Sequence, residues 1–217
     1  VGTPALEAQR VALGAALFSD TRLSRDGDRS CASCHQPDKG YSDGLAKARG
    51  RDGASLKRNT PHLYNLAAAT SFYWDGREPT LESQARVPLH AANELAAEPA
   101  QLLARLSADL DLRRQFAAAF PNETEMSESA LLSVLASYEK SLVSPETAFD
   151  AWVAGDEDAL SEQEKRGFRI FVGKGGCVSC HGGWRMTDDG FHDIGLETND
   201  PGRSAVPGGA AGIPAFK

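Results

Sequence analysis

The chain has 217 residues, of which 23 are basic and 30 acidic, and its net charge is −7. This length allows one large domain or two small ones, and the acidic excess argues against nucleic acid as a partner. No run of about 18 apolar residues occurs, so no membrane span is predicted, and no signal peptide is visible, although a removed one stays open because the chain opens at Val1.

Hydrophobic periodicity predicts a helical first part with long polar loops. Residues 36–60 are rich in glycine and charge and indicate a long functional or mobile loop. The helices predicted here span residues 5–18, 80–87, 98–120 and 127–142. Pro88 should stop the second of them because proline cannot donate the helical hydrogen bond, and the third should break near Ala108.

The last third of the chain begins after Pro145 and carries one further predicted helix. Residues 161–172 follow a helical pattern, and Ser161 with Glu164 three residues later forms a capping-box signature. This helix leads into the second of two cysteine motifs. The chain after His181 is rich in glycine, proline and aspartate and is predicted to be mostly loop.

Both cysteine pairs occur in the string C-x-x-C-H, at residues 31–35 and 177–181, and together they use all four cysteines. Two thiols at this spacing lie on one turn, where each can bond a haem vinyl group, and the adjacent histidine can give the iron an axial nitrogen. The alternatives are a shared zinc site, a dithiol redox pair and two structural disulfides. A four-thiolate zinc site needs no histidine after each pair, and no βαβ pattern typical of a redox pair is visible.

The two motifs therefore predict two covalently bound haem c groups. The residues assigned to them are Cys31, Cys34 and His35 for the first and Cys177, Cys180 and His181 for the second, with each histidine as an iron ligand. Because each motif follows a predicted helix, we expect a mainly α fold with two cytochrome c-like lobes, long loops and little strand. The N-terminal haem lobe is predicted over residues 1–145 and the C-terminal haem lobe over 146–217.

Over nearly its whole length the chain resembles the bacterial dihaem cytochrome c peroxidases and their MauG-like relatives. Besides the two haem motifs, the strings that carry the resemblance are L-F-x-D-x-x-L-S at 17–24, R-N-T-P at 58–61, F-x-W-D-G-R at 72–77, L-E-x-Q at 81–84, N-E at 93–94, F-H-D-I-G at 191–195 and D-x-G-R at 200–203. Most of these strings are weak singly, but together they are highly specific.

The resemblance implies that the haem of the first lobe is the peroxide site and that the second transfers electrons. Gln84 and Glu94 match the residues of the distal pocket, and Pro88 lines it. These residue types suit the chemistry, because a carboxylate can relay the proton that must move between the oxygens of peroxide. An amide such as that of Gln84 can hold peroxide or water by hydrogen bonds.

Two further roles follow from the resemblance alone. Trp74 matches a tryptophan between the haems, and Asn59 matches a side-chain ligand of one inter-haem Ca²⁺. Taken alone, Trp74 is better explained as a core residue, Asn59 as a turn residue and Glu94 as a solvated helix charge. Three further histidines are more readily structural residues or propionate contacts than iron ligands; they are His62, His90 and His192.

Two features depart from the family pattern. Many members carry a histidine in the loop after the first haem motif, which blocks that iron until the other haem is reduced. Residues 36–58 contain no histidine, as in MauG-like members, so the first iron is predicted to be open. The family also normally continues past the position of Lys217 with a segment that carries the second haem's distal ligand, Met or Tyr, so the C-terminal lobe is expected to lack that segment here.

The leading functional interpretation is an enzyme that reduces hydrogen peroxide to water at the N-terminal haem. Electrons would pass through the C-terminal haem from a small redox protein, a cytochrome c or cupredoxin. One alternative is a MauG-like enzyme that uses a two-haem high-valent state to oxidise Trp or Tyr of a partner protein, and another is a dihaem electron carrier without chemistry. Covalent haem attachment predicts a periplasmic protein, and a homodimer is among the expected assemblies.

Overall fold

The computed structural model describes residues 3–209 and 215–217, and within them the chain forms helices joined by long loops. These helices are α1 (Pro4–Phe18), α2 (Leu81–His90), α3 (Pro99–Ser107), α4 (Leu110–Ala119), α5 (Glu128–Ser141), α6 (Ala148–Val153) and α7 (Glu162–Val172). Extended structure in the described part is limited to isolated β-bridges. The prediction of a mainly α fold with little strand is therefore confirmed. None of the described helices is long and apolar enough to cross a membrane.

Helix α5 forms the centre of the hydrophobic core. Its residues from Ala130 to Ala136 are mostly buried, which is typical of a helix covered on several sides. It packs against α1, which buries Leu13, Leu17 and Phe18, and against α2. The contact with α1 is close at Gly14, where an added Cβ would lie 2.0 Å from the Val134 carbonyl oxygen. Glycine there allows the two helix backbones to approach.

The helix boundaries confirm several sequence predictions and correct one. The break near Ala108 is present, because Asp109 accepts hydrogen bonds from the first backbone N–H groups of α4. The capping box of Ser161 and Glu164 is present at the start of α7. The prediction that Pro88 stops its helix is wrong, since α2 continues through Pro88 to His90. Helix α6 was not predicted.

The described residues after Pro145 pack around aromatic rings rather than an aliphatic core. The fully buried hydrophobic side chains of the described residues all lie between Leu13 and Ala136. Beyond them, Phe149, Trp152 and Phe168 form a cluster with ring centroids 5.1 to 5.9 Å apart. This cluster joins α6 to α7 just before the second cysteine motif. The division of the chain at residues 145 and 146 stays a prediction.

Candidate active site

The two C-x-x-C-H segments have the same local structure. Cys31–Ser33 and Cys177–Ser179 each form a 3₁₀ turn, and all four thiols are free. In both segments the backbone N–H of the histidine, His35 or His181, donates to the backbone carbonyl of the first cysteine at 2.9 Å. Each turn therefore presents its two thiols and its imidazole together, as covalent haem attachment requires.

The orientation of both imidazole rings is fixed by the backbone. Nδ1 of His35 lies 2.8 Å from the Tyr41 carbonyl oxygen, and Nδ1 of His181 lies 3.1 Å from that of Met186. A carbonyl can only accept, so Nδ1 carries the proton in each ring and Nε2 keeps its lone pair for a metal. Burial also lowers the pKa of His35, which favours the neutral ring that a metal ligand needs.

Two adjoining cavities lie beside His35. The outer cavity has a volume of about 650 Å³ and is lined on one side by Gln84, Pro88 and Glu94. The inner cavity shares these residues and adds a mostly apolar wall; its other lining residues include Cys31, Ala85, Leu89, Leu95, Leu135, Glu139, Arg29 and Arg49. Apolar walls with two arginines suit a flat apolar macrocycle that carries carboxylates. The chemistry of these residues therefore fits haem at the first motif.

Gln84 and Glu94 form what we call the polar wall of these cavities, and its position depends on the proline inside α2. Pro88 has no N–H, so the carbonyl of Gln84, four residues earlier, loses its helical donor. The hydroxyl of Tyr73 donates to that carbonyl instead, at 3.4 Å. After the helix ends, the N–H of Leu95 donates to the Pro88 carbonyl at 3.0 Å, which sets the turn that carries Glu94.

Glu94 lies in an environment with two opposing effects on its charge. Burial raises the pKa of Glu94, and the guanidinium of Arg77 acts in the opposite direction. Arg77 lies over the ring of Tyr73, with 3.4 Å between the guanidinium carbon and the ring centroid, and donates to Asp75 at 3.0 Å. Tyr73 itself has a φ of 67°, in the left-handed region that non-glycine residues rarely adopt.

Sequence reasoning gave no role to Tyr73 or Arg77. Both belong to the F-x-W-D-G-R string, in which Tyr73 fills the unspecified position. Their spacing along the chain carried no signal that they stack or that they line the same cavity as Glu94. Of the two, Arg77 carries the stronger sequence signal for a place in the site, because it is a charged residue at a specified position of that string.

Trp74 shares a cavity with the histidines of both cysteine motifs. It lines a cavity of about 320 Å³ together with His35 and His181, which we call the inter-motif cavity. Its Nε1–H donates to the Asn59 backbone carbonyl at 3.0 Å, which fixes the indole. The side-chain amide of Asn59 donates to the Leu45 carbonyl. A Ca²⁺ ion at Asn59 stays a prediction.

The segment around Trp74 is held by ion pairs with distant residues. Arg58 binds Asp200 with two hydrogen bonds of 2.7 Å and Asp75 with one of 2.6 Å. Arg203 donates to the backbone carbonyls of Asp75 and Gly76 at 3.0 and 2.9 Å. These contacts tie the tryptophan segment to residues 200–203.

The remaining histidines lie outside the polar wall. His90 bonds the Ala97 carbonyl and Glu128 through its two ring nitrogens, at 2.7 and 2.6 Å. His192 bonds Asp188 at 2.9 Å, and His62 lines the inter-motif cavity. His62 shares the inter-motif cavity with His35 and Gln84, whereas His90 is among the described lining residues of none of these three cavities.

Comparison with known proteins gives the family. The sequence profile described as di-haem cytochrome c peroxidase matches residues 8–158. The chain belongs to this family. It is 46% identical over 215 residues to the methylamine utilization protein MauG of Methylorubrum extorquens, covering 98% of this chain and 61% of that protein. It is 37% identical over 192 residues to the cytochrome c peroxidase Ccp of Escherichia coli, covering 88% and 41%.

Solved structures agree with this assignment. A MauG-like protein associated with microbial copper homeostasis superimposes with a TM-score of 0.89 at 30% identity, covering 96% of this chain and 67% of that one. The diheme peroxidase BthA from Burkholderia thailandensis shares the fold, with a TM-score of 0.83 at 23% identity over 100% of this chain and 65% of that one. The chain spans less than two thirds of the length of the curated relatives named above. Membership in a di-haem family supports haem as the cofactor of the two motifs.

Proposed function

We propose that this chain reacts with hydrogen peroxide at the haem of the first motif and reduces it to water. Cys31, Cys34 and His35 would hold that haem, which supplies the redox chemistry when bound. The observation that carries the proposal is the polar wall of Gln84 and Glu94, which lines both the inner and the outer cavity beside His35. A simple electron carrier needs no such wall, so this observation also opposes the carrier alternative.

Gln84 and Glu94 have different proposed roles toward the peroxide substrate. The amide of Gln84 can donate to and accept from the peroxide oxygens and so orient them. Glu94 accepts the proton from one peroxide oxygen and returns it to the other, which leaves as water. Arg77 favours the ionised form of Glu94 that can accept that proton.

Electrons would enter through the haem of the second motif from a small redox protein. Trp74 is proposed to carry them onward, because it lines the inter-motif cavity with both proximal histidines. Its hydrogen bond to the Asn59 carbonyl holds the indole in one orientation. Location in the periplasm follows from covalent haem attachment and is part of this proposal.

A second candidate function is oxidation of Trp or Tyr side chains of a partner protein. Two observations favour it: the 46% identity to a MauG protein, and the lack of histidine between residues 36 and 58. Both candidates share the peroxide reaction at the first motif and differ in the source of electrons.

The test uses the haem-loaded protein in its oxidised form. Electron paramagnetic resonance should show one high-spin ferric haem, and stopped-flow mixing should show a direct reaction with peroxide. Two low-spin signals without reaction before half-reduction would reject the open first site. Peroxide consumption that depends on a reduced cytochrome c or cupredoxin would then select the peroxidase over the oxidation of a partner.

A further inference from the structure

The inner cavity contains a second acid that the mechanism above does not use. Glu139 on α5 has only 6% of its surface exposed and lines this cavity together with Cys31, Gln84 and Glu94. Leu135, one helical turn earlier, lines the same wall, so both side chains lie on one face of α5. A long acidic side chain is rarely buried to this degree without a partner.

One oxygen of the buried Glu139 carboxyl group has no hydrogen-bond partner among the described residues. Its Oε2 atom is inaccessible and accepts no hydrogen bond from residues 3–209 or 215–217. An orphaned buried oxygen is costly if the group is charged, which favours the protonated acid. Burial raises the pKa of Glu139 to about 8, the negative charge of Glu82 adds to this, and Lys140 opposes it. Burial and the orphaned oxygen therefore both favour the protonated acid at neutral pH.

Two charged side chains at the protein surface lie close to this acid. Glu82 on α2 and Lys140 on α5 form an ion pair of 3.2 Å at the protein surface, with their side chains 38% and 47% exposed. Lys140 follows Glu139 directly in the chain, and Glu82 is near enough to influence its pKa. On the cavity side, the ionisable groups that share the lining with Glu139 are Cys31, Cys34, His35, Glu94, Arg29 and Arg49.

The proposed reaction needs a source of protons besides Glu94. Reduction of one peroxide to two waters consumes two electrons and two protons. Glu94 only moves a proton from one peroxide oxygen to the other, so it supplies neither of the two protons that the reaction consumes. The missing protons must therefore enter the cavity from solvent.

We propose that Glu139 is a proton-supply residue of the first site, reloaded from solvent past Glu82 and Lys140. The inference rests on the proposed function. In each delivery the O–H bond of Glu139 breaks, and its proton forms an O–H bond of product water. The donor protein supplies the electrons, and a solvent proton restores the acid.

The first test is turnover of the haem-loaded protein with peroxide and a reduced donor. Glu139→Gln should lower steady-state peroxide reduction at least about tenfold, and small weak acids in the buffer should restore it. Glu139→Asp should retain part of the rate, and Glu125→Gln, at an exposed position just before α5, should retain all of it. Wild-type rates in Glu139→Gln would overturn the inference.

The second test does not depend on activity. Infrared spectroscopy of the haem-loaded protein should show a protonated carboxyl C=O band at pH 7. This band should be absent from Glu139→Gln and present in Glu125→Gln, and its absence from the wild type would overturn the inference even if the variant fails to fold. A wild type that shows the band but does not react with peroxide would refute the proposed function and the supply role together. An active wild type with an unaffected Glu139→Gln would refute the supply role alone.

Discussion

The two haem motifs share one local structure but lie in different surroundings. The first is enclosed by α2, α5 and the loop before residue 60, and its cavity includes side chains from distant parts of the sequence, such as Glu94 and Leu135. At the second motif, the ring of His181 bonds the carbonyl of Met186, only five residues later in the chain. Beside it, Trp184 and Ile194 are 74% and 77% exposed.

This contrast indicates that haem attachment and reaction with a substrate depend on different parts of the chain. The pentapeptide alone sets the turn, the thiols and the imidazole, because both copies fold in the same way. The acids and amides that can act on a substrate come from other elements of the fold, and the first motif has them in Gln84 and Glu94. We therefore expect the side chains packed over a motif, rather than the pentapeptide, to decide whether it reacts with peroxide.

The largest expected effect comes from removing each proposed iron ligand, His35 and His181, in turn. His35→Gly should abolish the rapid reaction with peroxide, because the reacting site is lost. His181→Gly should retain that first reaction and lose electron delivery from the donor. Stopped-flow spectroscopy with measured haem content checks both, and equal effects of the two variants would contradict the division of roles.

Glu94→Gln tests whether the polar wall of Gln84 and Glu94, rather than the first C-x-x-C-H motif alone, is needed for proton transfer on peroxide. The variant should react with peroxide about 10² to 10⁴ times more slowly, because it cannot accept and return the proton. Haem content should not change. Glu98→Gln, an exposed position four residues later, is the matched control. A rate equal to wild type in Glu94→Gln would reject the proton relay.

A pair of truncations compares how the two regions are packed. Leu17→Ala, at a core position with 1% exposure, should reduce the free energy of unfolding by about 2–5 kcal/mol. Ile170→Ala, on α7 and 48% exposed, should change it by less than about 1 kcal/mol. Denaturant unfolding of the haem-loaded proteins measures both, and comparable losses would contradict the contrast in packing.

The pH dependence of the peroxide reaction tests the balance at Glu94. The ionised form accepts the proton, and burial holds the pKa above its usual value, so the rate should fall as pH drops through that raised pKa. Arg77 opposes the effect of burial, so Arg77→Gln should move the fall to higher pH. Rates measured across pH in both proteins check this, and an unchanged profile would remove Arg77 from the site's electrostatics.

The smallest effect is expected at the cap of α7. Ser161→Ala removes the side-chain oxygen that accepts from the Glu164 N–H and should cost about 1 kcal/mol of stability. Thr80→Ala at the matching cap of α2 serves as comparison. Thermal unfolding followed by circular dichroism would measure both, and no loss in either variant would show that tertiary packing overrides the caps.

Local signals in the sequence predicted much of this fold. Apolar periodicity placed α1 and α5, and capping residues placed the start of α7. The cysteine motifs predicted the haem attachment points, whereas Gln84, Glu94 and Trp74 came from the family resemblance. The confirmed elements share one property, which is that the residues responsible lie within a few positions of each other.

The errors arise where distant residues decide the outcome. The helix was expected to stop at Pro88. It continues, because the Gln84 carbonyl, which lacks a donor at Pro88, accepts a hydrogen bond from the Tyr73 hydroxyl. Glu139 precedes Lys140 and looks like part of a charged helix surface in the sequence. Its burial is visible only once α2 and the first motif are packed against α5.

The ties between Trp74 and the end of the described chain affect the order of assembly. Arg203 donates to a carbonyl 128 positions earlier, and the Lys217 N–H donates to the Trp74 carbonyl at 2.8 Å. Contacts over such separations close late, whereas the helices around the first motif can form as the N-terminal part emerges. We therefore expect the Trp74 segment, the proposed link between the two haems, to become rigid after the helices around the first motif.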